Sequence, residues 1–183
     1  MIHESAPWRD HLAKDADLID RWAAKPSATE RRSFLIERKV FLAAYAMRKL
    51  FEARKLSSST ENKNIPGQCF PAFDRTKITS WNAYKFEKLY DLSKPVKKTL
   101  NIRVLIDIIV HSLLFCESID QDEKLTGFLI TSERKRDVLW LIDLSVFTSL
   151  MRFIAKDRPA QIHRTRVGNA ETWLEWRSSK KKK

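Results

Sequence analysis

The chain has 183 residues, enough for one domain with a sizeable core. Hydrophobic residues make up 43% and charged residues 32%, and only three glycines and six prolines argue against a β-sandwich or other turn-rich fold. The net charge of +12, from 35 basic and 23 acidic residues, directs attention to nucleic acid or to an acidic protein surface.

Other classes are disfavoured by short features. Met1–Asp10 carries acid and lacks an apolar core, unlike a secretion signal. Arg103 and Asp107 interrupt the best apolar run, so a membrane span is not expected. Cys69 and Cys116 lie far apart with no CxxC pair, which reads as reduced thiols in a cytoplasmic protein. There is no phosphate-binding glycine loop, HExxH motif or zinc-ligand series, so neither a cofactor nor a metal is expected.

In chain order, Pro7–Ala24 reads as a helix, with Trp8, Leu12, Leu18, Ile19 and Trp22 at helical spacing. Asp10, Asp15, Asp17 and Asp20 make it the most acidic stretch, and His11 is expected to be half exposed. Pro26 interrupts the pattern. Ser27 and Glu30 then have capping-box spacing, opening a long helix over Ala28–Leu56. Ile36, Val40, Ala43, Met47 and Leu50 form its main stripe, widened by Phe34, Phe41, Tyr45 and Phe51. Its polar surface carries Arg31, Arg32, Arg38, Lys39, Arg48, Lys49, Arg54 and Lys55 against few acids, as either a solvated face or a ridge along a phosphate backbone.

Ser57–Asn64 is polar and ends that helix, and Ile65–Ser80 reads as a loop with a Pro66-Gly67 turn. Phe70 and Phe73 would tether the loop. Cys69 has no nearby partner to activate it as a nucleophile. Trp81–Leu92 reads as a short helix, with Tyr84 and Tyr90 at a core edge or lining a pocket.

The run Leu100–Glu117, opened by Ser93 and Pro95, reads as a central helix that is apolar almost all round. Its β-branched residues leave a strand as the competing reading. On a helix, Arg103, Asp107 and His111 stand four apart in one stripe, which must face its own partners or a pocket.

Asp120–Glu123 is an acidic turn without a calcium-loop pattern. Leu125–Ser132 and Asp137–Ile142 read as a hairpin about a basic tip, Glu133-Arg134-Lys135-Arg136. Val138–Ile142 is apolar on both faces and needs cover on both. Asp143 or Ser145 starts a helix that buries Phe147, Leu150, Met151 and Ile154 and closes at Pro159. Gln161–Gly168 reads as irregular and basic, with His163, Arg164 and Arg166 available to a groove. Asn169 would cap a last helix through Arg177, docking Trp173, Leu174 and Trp176. The expected fold is α+β: a predominantly helical single domain over residues 1–179 with a short antiparallel β-hairpin, followed by a flexible lysine tail at 180–183.

The Arg103, Asp107 and His111 stripe has a coherent catalytic reading. His111 exchanges a proton near neutral pH, Asp107 orients it, and Arg103 holds a phosphate or charged transition state. It also has a structural reading, in which Arg103 pairs with Asp107 and His111 bonds inside the core. On Arg103 and His111 the chain resembles the HEPN domains, helical and often RNA-cleaving, which pair an arginine with a downstream histidine across a dimer interface. The spacing here is longer than is usual there, and the hairpin departs from their helical core. The resemblance implies metal-independent RNA cleavage.

The leading expectation is a basic, non-catalytic nucleic-acid-binding or assembly module, with RNA favoured slightly over DNA. Its contacts would be Arg38, Lys39, Arg48, Lys49, Arg134, Lys135, Arg136, Arg164 and Arg166. A protein adaptor without nucleic acid is the third reading, and a homodimer fits if unpaired apolar faces meet.

Overall fold

The computed structural model describes residues 4–26, 29–73 and 77–158 in full, and the backbone of 161–167 and 170–176. Helices α1 (Ala6–Ala23), α2 (Glu30–Glu52) and the single turn α3 (Ser58–Glu61) come first. Strands β1 (Asn64–Pro71) and β2 (Val96–Asn101) follow, joined by a segment with a 3₁₀ turn at Ala83–Lys88. Then come α4 (Ile102–Val110), β3 (Ser112–Ile119), β4 (Leu125–Ser132), β5 (Val138–Asp143) and α5 (Leu144–Lys156). A separate hairpin, β6 (Gln161–Val167) with β7 (Ala170–Trp176), closes the order.

The five strands β1–β5 form one antiparallel sheet in the order β2-β1-β5-β4-β3. The α+β expectation holds, with a sheet larger than the hairpin that the sequence suggested. This sheet also departs from the simple helical core that the HEPN resemblance implied. The chain passes from one sheet edge to the other through α4, which connects β2 to β3.

Alternation along β5 builds two cores. Trp140 and Ile142 join the large core, with Val138 packed against it, while Leu139 joins a smaller one that Leu141 flanks. The large core is filled by α1, α2, α4 and α5, through residues such as Leu12, Ile36, Met47, Leu105, Phe147 and Met151. The smaller core is closed by Ile78, Leu89 and Tyr90 of the segment between β1 and β2. Tyr90 donates its hydroxyl proton to the Arg136 carbonyl at 2.8 Å, and Arg136 Nη1 donates to the Ile78 carbonyl at 2.8 Å. These bonds tie the segment to the β4–β5 turn.

Several local expectations give way to tertiary constraints. Residues 65–71, read as loop, form β1, and Cys69 is buried there opposite Trp140. The run Leu100–Glu117 is divided rather than continuous. Asn101 starts α4 by accepting from the Arg103 amide at 3.0 Å, and the chain turns at His111 into β3. The Ser93–Pro95 signal therefore starts no helix. Lys97 and Lys98 instead lie exposed on edge strand β2, where charge discourages pairing with another chain. Trp81–Leu92 contains a 3₁₀ turn in place of an α-helix. Ala170–Trp176, expected to be helical, is a strand paired with Gln161–Val167, itself expected to be irregular.

Ser27 lies outside the described residues, and the α2 cap is Thr29, which accepts from the Arg32 amide at 3.2 Å. The acidic turn closes the β3–β4 hairpin: Asp120 Oδ1 accepts from the Asp122 and Lys124 amides, both at 2.9 Å. The lysine tail lies outside the described residues.

Gly127 of β4 gives a direct test of the sheet packing. A Cβ placed there lies 2.6 Å from the Ile142 carbonyl oxygen, which is backbone and cannot yield cheaply. At Gly67 the nearest atom is the end of the Ile142 side chain, at 3.2 Å. Gly127→Ala is expected to cost about 1–3 kcal/mol and Gly67→Ala less than about 1 kcal/mol, read from urea unfolding midpoints.

Candidate functional site

The C-terminal half of α2 lies beside α4 and the β4–β5 turn. Phe41 of α2 packs on Phe115 of β3, with ring centroids 5.5 Å apart. Arg48 is two turns further along α2, and its guanidinium reaches α4. There Arg48 Nη1 lies 3.1 Å from His111 Nε2 and 3.9 Å from Asp107 Oδ1. A guanidinium can only donate, so His111 Nε2 is the acceptor in this contact. Arg48 Nε also bonds Glu52 Oε1 at 2.9 Å.

Two adjoining concavities share Arg48 and Asp107. One, of about 280 Å³, is lined by Phe51, Glu52, Arg54, Arg103 and Ile106 as well. The other, about 400 Å³ and more enclosed, runs between α4 and the β4–β5 turn, past His111, Ser132, Arg134 and Lys135. The Glu133 amide donates to the His111 carbonyl at 3.3 Å, which seats the basic turn against the end of α4.

Arg103, Asp107 and His111 do share one face of α4, but that face is exposed. The buried side is Ile102, Leu105, Ile106, Ile108 and Ile109. The expected Arg103–Asp107 pair does not form. Arg103 instead bonds Glu61 and lies 5.1 Å over the Phe51 ring, while Asp107 faces Arg48. Nor is His111 satisfied in a core, since it reaches solvent.

Glu61 is a site residue that sequence reasoning missed, and Arg54, expected on the basic ridge of α2, lies instead in the turn beyond that helix. Glu61 is 14% exposed and also accepts from Arg54 Nη1 at 3.4 Å. Arg54 sits one residue past the α2 cap with φ at +54°, where glycine is the usual occupant. The Arg54 amide bonds the Phe51 carbonyl at 3.0 Å and the Lys55 amide bonds the Leu50 carbonyl at 2.9 Å, completing a Schellman closure. Nothing in the local sequence marks this turn, because an arginine there offers no glycine signal.

The other expected contacts scatter. Lys49 stands next to Arg48 and bonds Glu52 Oε2 at 2.6 Å. Lys39 is drawn toward α1 by a 2.6 Å pair with Asp15 and so leaves the basic ridge. Arg38 is exposed on α2, about 15 Å along the axis from Arg48. Arg136 is occupied by the Ile78 and Glu133 carbonyls and serves the fold. The side chains of His163, Arg164 and Arg166 lie outside the described residues, although their backbone belongs to β6.

Lys49 and then Arg48, both bonded to its carboxylate, hold Glu52 below the usual carboxylate range. Burial, then Glu117 and Glu87, push the Cys116 thiol up, away from the thiolate that a nucleophile needs. Among the described residues no group of three His, Cys, Asp or Glu side chains could hold a metal ion, and no helix is long and apolar enough to cross a membrane. The arrangement suits anions: cations of α2, α4 and the β4–β5 turn line two adjoining hollows, with Glu52, Glu61 and Asp107 between them.

Comparison with known proteins adds no relative: no family model matches the chain, and neither a curated protein nor a solved structure does.

Two measurements check this geometry. By NMR titration, the Glu52 carboxyl is expected to protonate below the ordinary glutamate range and to return toward it in the double variant Lys49→Ala, Arg48→Ala. Arg54→Gly relieves a left-handed non-glycine residue and is expected to stabilise the fold by about 1 kcal/mol. Destabilisation by that change would show that the Glu61 pair outweighs the backbone strain.

Proposed function

We propose that the protein is a basic, non-catalytic nucleic-acid-binding module that engages a phosphate backbone along the paired hollows centred on Arg48. The observation that carries this reading is convergence. Arg48, expected from α2, and Arg134 and Lys135, expected from the hairpin tip, line one enclosed hollow although 86 residues separate Arg48 from Arg134. Arg54 and Arg103 extend the same surface through the adjoining hollow. Cations so placed release counterions from a polyanion and supply affinity without reading sequence.

A second reading, metal-independent RNA cleavage, draws on the exposure of His111 beside Arg48 and Asp107. Two features weigh against it. Arg103 is already engaged by Glu61, and the Nε2 lone pair of His111 is taken by Arg48. A base at that nitrogen would require Arg48 to move away.

Binding to single-stranded RNA, followed by fluorescence anisotropy across a salt series, tests the main reading. Arg134→Glu with Lys135→Glu is expected to weaken binding at least tenfold at low salt and to make the plot of log K against log salt shallower by about 1.4, or about 0.7 per lost contact to a single strand. Unchanged affinity in that variant would remove this surface as the contact. Incubation with RNA in chelator tests the second reading: intact RNA is expected, whereas cleavage that disappears in His111→Ala would replace binding with catalysis. An acidic protein partner captured without any RNA affinity would favour the adaptor reading.

A further inference from the structure

The enclosed hollow holds a feature that backbone tracking does not require. Ser132 is only 4% exposed, yet among the described residues its hydroxyl has no hydrogen-bond partner. Strand alternation sets its direction. Phe128 and Ile130 of β4 point into the large core beneath the helices, and Ser132, two residues on, lies on that same face. There it meets the end of α4, opposite Ser112 in the register, and lines the hollow. Its neighbour Thr131 is on the other face, its hydroxyl within hydrogen-bond reach of the Lys135 and Val138 carbonyls. The hydroxyl opens on the hollow, so a ligand oxygen that bonds it there takes the place of water.

Around this hydroxyl stand Arg48, Arg134 and Lys135, with His111 at the end of α4 and one carboxylate, Asp107, on the wall. Counting Glu52, which bonds Arg48, these are three cations against two acids, yet with Ser132 the donor groups outnumber the two free oxygens that a phosphodiester presents. A terminal phosphate carries a charge near −1.5 to −2 at neutral pH and has three acceptor oxygens. It also needs room for only one strand to leave, which suits the more enclosed of the two hollows. The volume of about 400 Å³ falls within the range of small-molecule sites and accommodates a phosphate with its attached nucleoside.

We propose that this hollow binds a phosphomonoester, the terminal phosphate of a nucleic-acid strand, with Ser132 donating to one phosphate oxygen while Arg48, Arg134 and Lys135 neutralise the others. The body of the strand then runs over the adjoining hollow along Arg54 and Arg103. This inference rests on the nucleic-acid reading and adds an end preference to it.

The test uses the full chain and one RNA sequence in three forms: with a 5′-phosphate, with a 3′-phosphate, and with hydroxyls at both ends. At least one phosphorylated form is expected to bind about tenfold more tightly than the hydroxyl-ended strand. Ser132→Ala is expected to reduce that preference at least threefold while leaving hydroxyl-ended binding unchanged. Arg134→Glu is expected to abolish the preference, and Lys49→Glu, outside the hollow, to lower all three affinities alike. Equal binding of the three strands, or a preference that survives both Ser132→Ala and Arg134→Glu, overturns the end-binding inference and leaves the nucleic-acid reading standing. Failure of all three strands to bind overturns both. Circular dichroism on Ser132→Ala separates a lost preference from a lost fold, and Arg134→Glu, in an exposed turn, supplies the same readout without disturbing β4.

Discussion

Four phenylalanine rings hold the helical layer on the sheet. Phe41 of α2 meets Phe115 of β3, Phe115 stacks on Phe128 of β4 at 5.2 Å, and Phe128 meets Phe147 of α5 edge-on at 5.5 Å. Such pairs contribute about 0.5–1.5 kcal/mol each beyond the area they bury. Their larger effect is positional. The row fixes α2 relative to β3, and Arg48 two turns later inherits that placement. A rotation of α2 by one residue would carry Arg48 about 100° around the helix and away from His111.

Charge is distributed by the same packing. Three of the four acids of α1 reach neighbouring helices: Asp15 pairs with Lys39 of α2, and Asp17 and Asp20 with Arg152 of α5. These pairs are partly exposed and individually weak, on the order of 1 kcal/mol or less. They nonetheless withdraw Lys39 and Arg152 from the free basic surface. The C-terminal half of α2 gets no such neutralisation from α1, and there the positive surface gathers with α4 and the β4–β5 turn. Which acids the fold brings near which cations thus decides which basic residues α1 neutralises.

The turn after α2 couples stability to this surface. A glycine at position 54 would suit the left-handed backbone better, and the protein places an arginine there whose side chain bonds Glu61. Glu61 in turn holds Arg103. The short helix α3 that presents Glu61 is itself capped by Ser57, whose amide bonds Asp157 Oδ2 at 2.7 Å. The loop between α2 and β1 is thus a rigid bracket for two arginines, at the cost of a strained residue.

Much of this molecule is legible in its sequence because some signals are local. Helical spacing marked α1, α2 and α5 to within a few residues, and the two strands flanking Glu133–Arg136 were read from the length of the turn between two short apolar runs. The line of Arg103, Asp107 and His111 followed from 3.6-residue periodicity alone. What sequence could not decide is where apolar, β-branched runs change from helix to strand. Ile102–Val110 is helical and Ser112–Ile119 extended because Asn101 caps the one and β4 pairs with the other, and the second of these is a long-range contact. The same applies to β1 and β2, whose partners lie 25 or more residues away in the chain. Whether the polar stripe faced core or solvent, and which basic residues remain unneutralised near it, depended on neighbours that only the tertiary structure supplies.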